Sequence, residues 1–128
     1  MAEPIPEDVK KFIAEKINSV EQLEVLLLLR AAPDQVWNAS TVSEAIYSSD
    51  AAAALRLADL QAAGLLNRIE GAPPTYRYGP VSAAVDALIA RLVDVYHERR
   101  VAVITLIYSR PRDDAQAFAD AFKFRKDP

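Results

Sequence analysis

The sequence has no cysteine, which excludes disulfide scaffolds, thiolate metal sites and cysteine nucleophiles. A single histidine, His97, excludes any mechanism or metal site that needs two imidazoles from one chain. Only 3 glycines occur, each explained by a cap or a turn, so no phosphate-cradling glycine loop is present. No apolar run approaches the roughly 18 residues that a membrane span needs. The start, Met-Ala-Glu-Pro-Ile-Pro-Glu-Asp, is acidic and proline-punctuated, unlike a secretory n-region. A soluble cytoplasmic protein is therefore expected. What is there fits one domain: 128 residues, 52% hydrophobic and 26% charged, an ordinary globular composition.

The net charge is −3, a mild argument against indiscriminate binding to nucleic acid. Its distribution is uneven. Residues 1–80 carry 7 Lys/Arg against 11 Asp/Glu, and residues 81–128 carry 8 against 7. The basic excess is C-terminal.

Ile5 to Ile17 reads as a helix, with Pro6 in its first turn, Glu7 and Asp8 on the positive dipole end, and Val9, Phe12, Ile13 and Ile17 at helical spacing. Ser19 is the expected N-cap of a second helix, with Gln22 as its capping-box partner. Val20, Leu23 and Val25 to Leu29 make that helix apolar nearly all round, hence central; Pro33-Asp34 ends it. A short third helix is expected within Asn38–Tyr47, capped by Ser40 and answered by Ser43 or Glu44, with Val42, Ala45 and Ile46 inward. Ser48-Ser49-Asp50 is a polar turn rich in N-cap residues. A longer helix follows from Ala51 to Ala63, with Ala54, Leu55, Ala58 and Ala62 near one face and Leu57 and Leu60 beside it; Gly64 is its C′ residue.

After Gly64 the period changes from 3.6 to 2. Leu65–Glu70 reads as a strand, Gly71–Pro74 as a four-residue turn, and Thr75–Tyr78 as the returning strand. Residues 81–108 read as one long helix on the rhythm of Val85, Leu88, Leu92 and Val95, with Val81, Ile89 and Tyr96 alongside. The β-branched run 101–108 also suits a strand; helix is preferred because no turn signal precedes it. Ser109–Arg112 breaks the helix, and a last amphipathic helix carries Phe118 and Phe122.

The order helix, helix, short helix, turn, longer helix, hairpin resembles the winged helix-turn-helix domain of bacterial transcriptional regulators, MarR/PadR-like in general layout. The telling residues are Leu57-Ala-Asp-Leu-Gln-Ala-Ala-Gly-Leu-Leu-Asn-Arg68 and Tyr76-Arg-Tyr78, similar to the end of a recognition helix, the entry to a wing and its returning strand. The resemblance covers about residues 19–80. It implies a mainly α fold with a small β-hairpin wing, residues 1–80 forming the winged helix-turn-helix with its N-terminal helix. Residues 81–128 are then a long helix and tail for dimerisation, through Val85, Leu88, Leu92, Val95, Phe118 and Phe122.

The same resemblance sends residues 51–63 into the major groove of double-stranded DNA. Ser48, Ser49, Asp50, Ala52, Ala53 and Arg56 become the exposed candidates there, and Arg68, Thr75 and Arg77 the wing contacts to phosphates or the minor groove. The helix itself departs from what readout needs. Base contacts come chiefly from Arg, Lys, Asn and Gln, and this helix offers four consecutive alanines, one arginine and two aspartates.

The catalytic inventory is thin. His97 beside Glu98, the pair Asp86 and Asp94, and the unsupported Ser48-Ser49 do not assemble a nucleophile with its base. No enzyme, cofactor or metal site is expected. Two functions of different class remain. One is a homodimeric DNA-binding regulator. The other is a winged-helix adaptor that binds a protein through its alanine-rich helix and the Phe-bearing, basic tail. A positive stripe joining Arg56, Arg68 and Arg77 would favour DNA; an exposed apolar patch at Ala51–Ala54 would favour a protein.

Overall fold

A computed structural model describes residues 5–109. Six helices and one hairpin follow in chain order: α1 (Glu7–Lys16), α2 (Val20–Ala31), α3 (Ala39–Ile46), α4 (Asp50–Ala62), β1 (Leu66–Ile69), β2 (Thr75–Tyr78), α5 (Ala83–Glu98) and α6 (Arg100–Tyr108). This is the mainly α architecture with a β-hairpin that the sequence implied. The expected tail helix with Phe118 and Phe122 lies outside the described residues.

α2 is the centre of the fold. Leu23, Val25, Leu26 and Leu29 are fully buried, and the helix packs on α3, α4 and β2. Its start is stitched by Gln22, a buried polar residue. Ser19 Oγ accepts from the Gln22 N–H at 3.0 Å, and Gln22 Nε2 donates to the Lys16 carbonyl at 3.1 Å. The Gln22 side-chain oxygen accepts from Asn18 N–H rather than from the cap itself. The reciprocal partner is therefore one residue ahead of the expected capping box, and the amide closes the α1–α2 turn instead of the helix alone.

The third helix begins earlier than expected. Asn38, not Ser40, is its N-cap, and Thr41, not Ser43 or Glu44, answers in a complete capping box. Asn38 Oδ1 accepts from Thr41 N–H at 2.8 Å, and Thr41 Oγ1 accepts from Asn38 N–H at 2.9 Å. Asparagine caps as well as serine, so the sequence held two adequate caps. Val42 is buried as expected and Ile46 half-buried, but Ser43 takes the inward place expected of Ala45, which is exposed.

The inner face of α4 also differs from expectation. Ala53, Leu57 and Leu60 are fully buried, whereas Ala54, Leu55, Ala58 and Ala62 are exposed. Alanine is apolar on either face, so the four-alanine run gives period analysis little to phase on. Helix α4 ends as expected at Gly64, which takes φ +84°.

β1 and β2 pair antiparallel, with Leu66 opposite Tyr78, Asn67 opposite Arg77, Arg68 opposite Tyr76 and Ile69 opposite Thr75. The connection spans 70–74, and the Ala72–Pro73 bond is cis. Trp37 adds a short third rung unseen in the sequence. Its N–H donates to the Tyr76 carbonyl at 2.8 Å, and Tyr76 N–H donates to the Trp37 carbonyl at 2.7 Å. The hairpin is thereby pinned at its middle to the chain between α2 and α3.

The long helix expected over 81–108 is two helices. Arg99 leaves the helical region at φ −136°, ψ 55°, yet its N–H still bonds the Val95 carbonyl and its own carbonyl accepts from Val103 N–H. Residues 101–108 are helical, as preferred. Ile89, Leu92, Tyr96, Val103 and Ile107 are all buried, a rhythm that runs through the break and so conceals it. Glu24 on α2 grips both sides. Tyr96 donates to Glu24 Oε2 at 2.7 Å, and Arg100 lies 3.6 Å from the same oxygen and over the Tyr96 ring.

α1 packs against α5 and α6, and Asp8 pairs with Arg91. In space the N-terminal helix therefore stands with the C-terminal pair rather than with the hairpin half.

Candidate nucleic-acid interface

The three turn residues between α3 and α4 have different work. Ser48 Oγ donates to Glu21 Oε2 at 2.9 Å. Ser49 is the N-cap of α4, its Oγ accepting from Ala52 N–H at 3.0 Å. Ser48 thus spends its hydroxyl proton within the fold, whereas Ser49 only accepts there and keeps its O–H. Tyr47, which the sequence reading passed over, is the αL cap of α3 at φ 57°, ψ 48°; it is 96% exposed. Asp50 opens α4 and accepts from Ser43 Oγ at 2.5 Å, so this acid ties the turn of α4 back to α3.

Of the α4 candidates, Ala52 is half-buried and Ala53 is fully buried. Ala53 therefore presents nothing to a partner and is withdrawn from the exposed set. Arg56 is half-buried, and its Nε donates to Glu21 Oε1 at 2.8 Å. Glu21 is held below the usual glutamate range, chiefly by that hydrogen bond, with Ser48 adding to it and burial opposing it. The one arginine of α4 is locally neutralised. The solvent face of the helix is instead Ala51, Ala54, Leu55, Ala58, Gln61 and Ala62.

In the hairpin, opposed residues share a face and neighbours alternate. Arg68 therefore lies on the Leu66–Tyr76–Tyr78 face and Arg77 on the Asn67–Ile69–Thr75 face. No single stripe joins them. Arg68 is 3.5 Å from Glu70, whereas Arg77 is exposed and carries no ion pair among the described residues. Asn67 is exposed opposite it, and Thr75 is half-buried on the same face. A Cβ on Gly79 would come within 2.3 Å of Asn67 Nδ2, so glycine there is what lets the Asn67 amide lie across the base of the wing. Tyr78 fixes that base from the other face. Its hydroxyl donates to Asp86 on α5 at 2.5 Å, and burial first, then Asp86, pushes its pKa up to about 12.

A helix–turn–helix, α3 and α4, packed on a hairpin whose strand is bridged back to the chain ahead of α3 decides the architecture. The fold is a winged helix. Solved structures share it. The crystal structure of MepR, a transcription regulator of the Staphylococcus aureus multidrug efflux pump MepA, matches with TM-score 0.51 and 15% identity over 93% of this chain and 89% of that one. A mutant S. aureus MepR bound to an oligodeoxyribonucleotide matches with TM-score 0.50 and 16% identity over 93% and 88%. The likeness is one of fold. No family model matches the chain, and no curated protein matches it in sequence.

The remaining candidates of this winged helix fall on α5. Val85, Leu88 and Val95 are half-buried and retain surface, but Leu92 is fully buried within its own chain and so cannot serve a second subunit. Val81 on the approach to α5, and Val101 and Tyr108 on α6, are the exposed large apolar residues of this half. A shallow cavity of about 340 Å³ opens between α1 and the α5–α6 junction, lined by Ile5, Lys10, Arg99, Ala102, Thr105 and Leu106. None of its residues belongs to α3, α4 or the wing. Among the described residues no cluster of His, Asp and Glu could hold a metal ion, and no helix is long and apolar enough to cross a membrane.

Proposed function

We propose that the protein is a DNA-binding transcriptional regulator of winged-helix type, acting as a cytoplasmic homodimer. The observation that carries this reading is the outer face of the wing. Arg77, free of any ion pair among the described residues, stands opposite Asn67 with Thr75 beside it. These are a cation, an amide and a hydroxyl of the kinds that contact phosphates and groove edges. α4 packs directly against β1, so helix and wing would meet one duplex together. A fold neighbour bound to an oligodeoxyribonucleotide supports the reading. Ser49, Ala52, Thr75 and Arg77 remain its contacts, with Ser48, Arg56 and Arg68 engaged inside the protein in the free state. The second subunit would meet Val85, Leu88 and Val95, joined by the exposed Val101 and Tyr108.

The test is fluorescence anisotropy of a mixed-sequence duplex across a salt series, with Arg77→Ala and Arg68→Ala beside the wild type. Binding that weakens steeply with salt, with a slope shallower by about one in Arg77→Ala, is expected. Absence of binding to any duplex at low salt would sink the reading. It would leave the adaptor, which the exposed Ala51, Ala54, Leu55, Ala58 and Ala62 face favours.

A further inference from the structure

Tyr47 is the αL cap that ends α3, a position where glycine or asparagine is usual, and it is occupied by a large ring left in solvent. Its backbone sits in the left-handed region, φ 57°, where a side chain crowds the following carbonyl and glycine is the usual choice. The ring is 96% exposed, so no packing offsets that strain. The position matters as much as the strain. Tyr47 precedes Ser48 and Ser49, whose hydroxyls serve Glu21 and the α4 cap. The phenol of Tyr47 has no hydrogen-bond partner among the described residues, so in the turn that leads into α4 it is a hydroxyl free both to donate and to accept.

We propose that Tyr47 is a DNA-contact residue, its phenol hydroxyl donating to a phosphate oxygen beside the groove that α4 enters. The assignment rests on the DNA-binding reading above and names a contact that reading did not include. Tyrosine hydroxyls are ordinary phosphate donors.

The experiment measures duplex binding and thermal unfolding of the full chain as wild type, Tyr47→Phe, Tyr47→Gly and Arg77→Ala. Tyr47→Phe removes only the hydroxyl. It is expected to bind about three- to tenfold more weakly, with the melting temperature and the salt slope unchanged, because a neutral donor releases no counterion. Tyr47→Gly is expected to bind at least as weakly and to melt no lower than wild type, since glycine takes this φ without strain. Tyr47→Phe binding within twofold of wild type overturns the assignment while leaving DNA binding intact. Tyr47→Gly melting well below wild type also overturns it, by showing that the ring supports the fold. Wild type that binds no duplex removes the DNA reading itself, and this assignment with it.

Discussion

Glu21 Oε1 accepts a hydrogen bond from Arg56 Nε at 2.8 Å, joining the first turn of α2 to the middle of α4. The other carboxylate oxygen takes the Ser48 hydroxyl. One acid thus ties the central helix to both the turn and α4. Among the described residues only Nε of Arg56 is engaged, so the tie orients the guanidinium without using its terminal nitrogens.

Glu21→Gln should cost about 1 kcal/mol near neutral pH, since the pair is only partly exposed and its hydrogen bonds are charge-assisted. The folded-state pKa lies below the ordinary 4.5, so the stabilisation is present above that value and is lost as the pH falls through the folded one. Denaturant midpoints of wild type and Glu21→Gln should converge in acid. Curves that stay equally far apart at every pH would contradict this.

Leu55 and Leu57 are two residues apart and opposite in role. Leu57→Ala should destabilise by about 2–5 kcal/mol, as truncations of buried leucine do. Leu55→Ala should stay within about 0.5 kcal/mol. The sequence alone grouped Leu55 with Ala54, Ala58 and Ala62 beside Leu57 and Leu60, so urea unfolding of this pair directly tests which of the two faces is buried.

Gly64 ends α4 at φ +84°, and a Cβ there would lie 2.9 Å from Val81 Cγ1. Val81 N–H also bonds the Gly64 carbonyl at 2.9 Å. Gly64→Ala should lower stability by about 1–2 kcal/mol through the left-handed backbone alone. Val81→Ala removes the neighbouring branch but not the backbone penalty, so the double variant should recover only part of the loss in thermal melts.

Tyr78 and Tyr96 are both raised from 10.0 to about 12 by burial first, and then by Asp86 and Glu24 respectively. A raised folded pKa means stability that is full below the unfolded value and is lost as the pH rises from 10 toward 12. Alkaline unfolding in that window should be softened in Tyr78→Phe and Tyr96→Phe, each of which also loses one hydrogen bond at neutral pH. A wild type whose stability is flat across the window would contradict the burial of these phenols.

Local chemistry announced much of this fold. Ser19, Ser49 and Gly64 act at the helix ends where their side-chain oxygen or lack of Cβ fits them. The change of period after Gly64 marked the hairpin to within a residue, because β pairing and helix packing impose different spacings. Other features had no local signal. Asn38 and Ser40 are equally good caps by residue type, and it is the Asn38–Thr41 capping box that forms. The Arg99 break is spanned by one uninterrupted apolar rhythm, and the partner that grips it, Glu24, lies 72 residues from Tyr96.

The sequence by itself determined the order of elements, the single core and the wing, because capping, turn chemistry and hydrophobic period are properties of neighbouring residues. Tertiary structure alone decided which groups stay free for a partner. Arg56, Ser48 and Arg77 look alike available in the sequence; the approach of Glu21 engages Arg56 and Ser48, while Arg77 and Tyr47 remain outward. Availability depends on what distant residues bring within hydrogen-bond reach, and no spacing along the chain encodes that.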